Sequence, residues 1–265
     1  MATRVQPGFE ALLRTERTVV ALALGLLALL SWLYLAALAD AMAAMDGGTD
    51  SLFMALMPMG RWGAFELALC TAMWLVMMVA MMVPSAAPML FAFHAMVRHR
   101  AGTGRPMALC ALFLLGYSLV WSGFSLCAAA LQWALHEAAV VTDAMVSANR
   151  TLDAALLLGA GAWQLAPVKD RCLAACRSPL GFLLGEWRDG WRGALAMGLY
   201  HGTLCAGCCW ALMALLFVGG VMNLLWIAAL AGAVLAEKTL PFGAGIAKVI
   251  GVGLCASGAW LLVVA

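Results

Sequence analysis

Solid runs of apolar residues, separated by short polar or charged stretches, dominate the chain from end to end. Each run is about 20 residues long, which at ~1.5 Å rise per residue matches the ~30 Å hydrocarbon core of a bilayer. The pattern predicts an all-α, polytopic membrane protein with seven spans, at roughly 18–39, 64–92, 106–132, 151–168, 193–218, 222–240 and 244–264. The fourth span is interrupted by Asp153 and Gln164 and is expected to be short, tilted or partly re-entrant. Ala37 and Ala39 before Asp40 resemble a signal-peptidase site, but the apolar run ahead of them is longer than a signal h-region, so the first span reads as an uncleaved anchor.

Composition agrees with the pattern. Of 265 residues, 66% are hydrophobic and only 11% charged, too few charges for the surface of a soluble domain. A membrane barrel would show short alternating segments in place of these runs. Of the 15 lysines and arginines, a cytoplasmic N-terminus leaves only Arg61 and Arg150 outside, and this positive-inside bias predicts that orientation in a bacterial inner membrane. No repeat or long linker divides the chain, so residues 1–265 read as a single domain. The net charge of +2 and the absence of a basic stripe argue against nucleic acid and leave membrane lipid as the solvent partner. Gly159, Gly161, Gly243, Gly245, Gly251, Gly253 and Gly258 are expected to allow close helix packing.

The fifth span carries side chains that a bilayer helix seldom holds. At about 100° per residue, His201, Cys205 and Cys208 fall within about 60° of one another, with Met197 on the same side and Cys209 at the edge. Met77 and Met81 belong to an i, i+4 ridge on the second span, with Met78 and Met82 one residue round. Counted inward from the helix ends, Met77 and Met81 bracket the depth of Cys205. Pro84 and Pro88 are expected to kink that helix or free its carbonyls. A methionine ridge is most often packing, whereas a histidine in a span is costly unless paired or functional. Thiolate, thioether and imidazole together favour Cu(I), with Zn(II) as the alternative for a set without methionine.

Two further groups extend the soft-donor theme. The first outer loop holds Met42, Met45, Met54, Met57 and Met59, with M-x-x-M and M-x-M spacings suited to collecting Cu(I), or else an interfacial turn anchored by Phe53 and Trp62. Between the fourth and fifth spans, Cys172 and Cys176 lie one turn apart in a segment expected to be cytoplasmic, where Arg171 and Arg177 would lower both thiol pKa values. Glu237, at the inner end of the sixth span, is either an ion or proton partner or a surface pair with Lys238.

The blocks AMWLVMMVAMMVPSAAPML, CLAACRSPLGFLL and GLYHGTLCAGCCWALMALLFVGGVMNLLWIAALAGAVLAEKTLP, in that order, resemble a bacterial family described as predicted metal-binding integral membrane proteins. The likeness covers roughly residues 64 to 240. Its motif positions fall on Met77, Met78, Met81, Met82, Pro84, Cys172, Cys176, His201, Cys205, Cys208, Cys209 and Glu237. It implies metal binding in the membrane and carries no transport or catalytic activity with it.

The expected function is therefore metal handling: binding or transport of Cu(I) between the outer methionines, the His201/Cys205/Cys208 stripe and the Cys172/Cys176 pair. The alternative is a non-transporting membrane subunit or metallochaperone of a larger enzyme assembly, with other membrane subunits or further copies of the chain as partners. An enzyme that shuttles thiol redox equivalents ranks last, because the adjacent Cys208 and Cys209 suit an ordinary disulfide poorly. No ATPase motif is present.

Overall fold

A computed structural model describes residues 7–45, 63–100, 106–138 and 149–264, with side chains in the first stretch from residue 16 to 41. The elements are α1 (Pro7–Met45), α2 (Ala64–His99), α3 (Pro106–Glu137), α4 (Arg150–Leu165), α5 (Pro167–Arg177), α6 (Pro179–Glu186), α7 (Gly190–Ala214), α8 (Leu216–Gly219), α9 (Leu224–Thr239) and α10 (Gly243–Val264). No strand occurs among the described residues, as the apolar pattern predicts.

Local chemistry sets the boundaries. Glu66 reaches back to accept from the Gly63 amide at 2.9 Å, closing the start of α2. Asn149 caps α4 by accepting from the amides of Thr151 and Leu152, and Asn223 caps α9 by accepting from that of Trp226. Proline stands at the start of α5 and of α6, where its missing N–H has no helical partner to lose. α2 runs through Pro84 and Pro88 as one continuous helix.

Among the described residues, five helices are long and apolar enough to cross a membrane: Glu16–Ala41, α2, α3, Gly190–Gly219 and α10. The expected fourth and sixth spans form α4 and α9, of 16 residues each. A helix of that length rises about 24 Å, short of a ~30 Å core. The outward faces of α1 and α10 carry Leu22, Leu29, Leu33, Val249, Val252 and Val263 in exposed positions, a surface suited to lipid.

Packing follows the glycines in part. A Cβ on Gly198 would lie 2.0 Å from the Phe113 carbonyl oxygen, and one on Gly116 2.4 Å from that of Leu195, so these glycines let α3 and α7 touch backbone to backbone. Gly161, Gly251 and Gly258 do the same for α4 and α10, whereas nothing lies near Gly159, Gly245 and Gly253, which play no part in close packing. The segment after α4 does not run free of the bundle: it forms α5 and α6, and α5 packs along α7 with Lys169 and Leu173 buried.

Candidate metal centre

α7 buries its soft donors on one face: Met197, His201, Cys205, Cys208 and Cys209 are all inaccessible. The Cys208 and Cys209 thiols both donate to the Cys205 carbonyl, at 3.1 and 3.0 Å, which folds them back toward their own helix. Around Cys205 Sγ stand the Tyr117 hydroxyl at 3.1 Å and the Lys238 ammonium at 2.9 Å. Lys238 also donates to Ser85 Oγ at 3.1 Å, so α2, α3, α7 and α9 all contribute to the surroundings of one sulfur.

The predicted cytoplasmic pair belongs to this same cluster. Cys176 on α5 lies beside both Cys205 and Cys208. Cys172 packs over Gly207, where a Cβ would come within 3.1 Å of its Sγ. The thiols of α5 and α7 thus stand together, where two separate groups were expected. The pKa expectation fails as well, since both thiols of α5 are pushed up: Cys172 by burial, and Cys176 first by the neighbouring Cys205 and Cys208 thiols and then by burial. The Arg177 guanidinium is turned to the carbonyls of Glu237 and Pro241, to which it donates at 2.6 and 2.9 Å.

The remaining donors are placed unequally. The thioether that reaches a thiol is that of Met82, 3.9 Å from Cys209 Sγ. Met77 and Met81 are fully buried in the core that also contains Cys205, Cys208 and Cys209. The His201 ring lies between Phe113, Tyr117 and Phe182, with centroids 5.9, 5.7 and 5.4 Å away, and its Nδ1 has no hydrogen-bond partner. Met42, Met45, Met54, Met57 and Met59 lie outside the residues whose side chains are described.

Glu237 is neither on the surface nor paired with Lys238. It is 1% exposed, accepting from Lys169 Nζ at 2.6 Å and from Gln164 Nε2 at 2.7 Å. Lys169 and Lys238 are the site residues that the sequence conceals. Both sit beside runs of charge or at a helix end, where positive residues ordinarily face water, so nothing in the pattern marks them as buried. Tyr117 and Ser85 carry no signal at all.

Among the described residues no three His, Cys, Asp or Glu side chains stand preset around a metal position. The donor chemistry nonetheless suits a soft monovalent ion, for which two thiolates suffice. Cys176 and Cys205 come from different helices, and the unpartnered Nδ1 of His201 lies one turn along α7 from Cys205.

An all-α bundle with a buried thiol cluster and long apolar helices is the class that these observations define. The chain belongs to the family described as PpoB2, copper chaperone, whose model matches residues 71–261. The match runs from within α2 to within α10 and includes every thiol, thioether and charged group of the cluster. No curated protein and no solved structure matches the chain.

Proposed function

We propose that this protein is a membrane-embedded copper chaperone that holds Cu(I) as cargo between α5 and α7 and passes it to an apo-enzyme or to a further membrane subunit. The observation that carries the reading is the convergence of Cys176 from α5 on Cys205 and Cys208 of α7, within a chain of the copper chaperone family. Cys176, Cys205 and Cys208 are the primary donors. Cys172, Cys209, Met82 and His201 are secondary ones, and Met77 and Met81 support them from the α2 ridge. A single cluster with donors on two helices suits capture and release by relative movement of α5, whereas through-transport would need donors strung along a path. The Met-rich segment holding Met42, Met45, Met54, Met57 and Met59 is a collecting surface for the same ion in this reading. Localisation in a bacterial inner membrane, a cytoplasmic N-terminus and a single domain over residues 1–265 complete it.

Binding replaces protons and hydrogen bonds. The thiols of Cys208 and Cys209 now donate to the Cys205 carbonyl and must turn away from it to present sulfur to cargo. α5 is held by Lys169 on Glu237 and by Arg177 on the Glu237 and Pro241 carbonyls, so its approach to α7 is set by polar contacts at both of its ends.

The test is copper content after anaerobic purification under reducing conditions. Wild type is expected to retain about one Cu(I) per chain, and Cys176→Ser, Cys205→Ser and Cys208→Ser each to lose most of it, because serine keeps the volume and removes the soft donor. Cys127→Ser, at an exposed position, should match wild type. Equal copper in all four variants, or none in wild type, would remove the site, while zinc in place of copper would change only the identity of the cargo.

A further inference from the structure

Lys238 is the charged group closest to the thiols, and the copper reading alone assigns it nothing to do. Its side chain is buried, its ammonium lies 2.9 Å from Cys205 Sγ, and its other contact is the neutral Ser85 hydroxyl. The carboxylate next to it in sequence is committed elsewhere, since both Glu237 oxygens accept from Lys169 and Gln164. A buried cation needs a counter-charge, and here the group positioned to supply it is the Cys205 sulfur.

We propose that Lys238 is a fixed cation that makes the thiol cluster selective for a monovalent soft ion over a divalent one. This rests on the copper reading and adds to it the basis of the choice of metal. An ion bound to Cys205 lies within a few ångströms of the Lys238 ammonium in a low-dielectric interior, where the repulsion between them scales with the charge of the ion. A divalent ion meets twice the repulsion that Cu(I) meets. Charge counting points the same way. Two thiolates, one Cu(I) and Lys238 sum to zero, whereas Zn(II) with the same groups leaves one positive charge buried unless a third thiol ionises. Lys238 is not itself a donor to the ion and acts through Cys205, so it is a positioning and selectivity residue.

The experiment compares wild type, Lys238→Met, Lys238→Gln and Lys238→Arg as full chains in detergent, under anaerobic reducing conditions. Cu(I) and Zn(II) affinities are measured separately against chelators of known strength, and the readout is their ratio. Lys238→Met removes the charge at similar length and is expected to lower the preference for Cu(I) over Zn(II) at least tenfold, with Zn(II) binding tighter than in wild type. Lys238→Gln keeps a donor for Ser85 and must give the same shift, which protects the test if the methionine variant folds poorly. Lys238→Arg keeps the charge and should stay within about threefold of the wild-type ratio. A ratio unchanged in the folded uncharged variants, or a parallel loss of both metals, would overturn the proposal and leave the copper site standing. A wild-type protein that binds no Cu(I) would instead remove the copper reading and this one with it.

Discussion

Cys205 gathers more of the site than any other residue. It contacts Tyr117 and Lys238 through its sulfur, receives two thiols on its carbonyl and has Cys176 of α5 as a neighbour. Met82 is one step removed, reaching Cys209 at 3.9 Å, which is near contact distance for two sulfurs. Leucine has nearly the volume of methionine without the sulfur, so Met82→Leu separates packing from ligation. We expect it to weaken Cu(I) retention roughly tenfold, as removal of a supporting group around a metal does. The Met77→Leu/Met81→Leu double variant should have a smaller effect. Chelator competition on folded protein checks both, and a larger loss in the double variant than in Met82→Leu would return the ligand role to the ridge.

At the scale of elements, α5 is the piece on which the site depends, and it is anchored by a buried ion pair. Lys169 and Glu237 are 0 and 1% exposed, and their contact spans α5 and α9. Removing one partner of such a pair strands the other, at a cost of about 3–5 kcal/mol, whereas replacing both with neutral groups of similar size is often nearly neutral. Glu237→Ala is therefore expected to lower the thermal midpoint in detergent well below that of the Lys169→Met/Glu237→Gln double variant. A double variant no better than the single would mean that the pair does not act as a unit. The same anchor explains what could be read in advance and what could not. The α7 stripe was legible because its donors recur at helical spacing within one span. The place of α5 was not, because Lys169, Arg171 and Arg177 read locally as the charge of a loop, and the carboxylate that neutralises Lys169 lies 68 residues away. α4 and α9 carry the apolar composition of spans without the length, a distinction that hydropathy blurs and helix caps at Asn149 and Asn223 make sharp.

At the scale of the whole molecule, contacts between helices bring several charged residues to one end. Glu16 on α1 accepts from Arg98 and lies 3.0 Å from His94 Nε2, which places the start of α1 beside the end of α2. Arg100 stacks over Trp187 at 4.7 Å, bringing the end of α2 to the connection between α6 and α7, where Arg188 and Arg192 lie. Arg150 begins α4, after α3 has run 32 residues away from that end. The fold thus groups residues 16, 98, 100 and 188 together and separates them from 150, and the proposed orientation puts that group in the cytoplasm and residue 150 on the other side. Single cysteines introduced at Arg100, Arg188 and Arg150, in a background where the exposed Cys127 is serine, make this measurable with a membrane-impermeant thiol reagent on intact cells. Position 150 should label, and positions 100 and 188 should label only after the membrane is opened. The inverse pattern would keep the fold and invert the chain in the bilayer. Labelling of 100 and 188 from opposite sides would contradict the packing of Arg100 on Trp187, and with it the arrangement that carries α5 against α7.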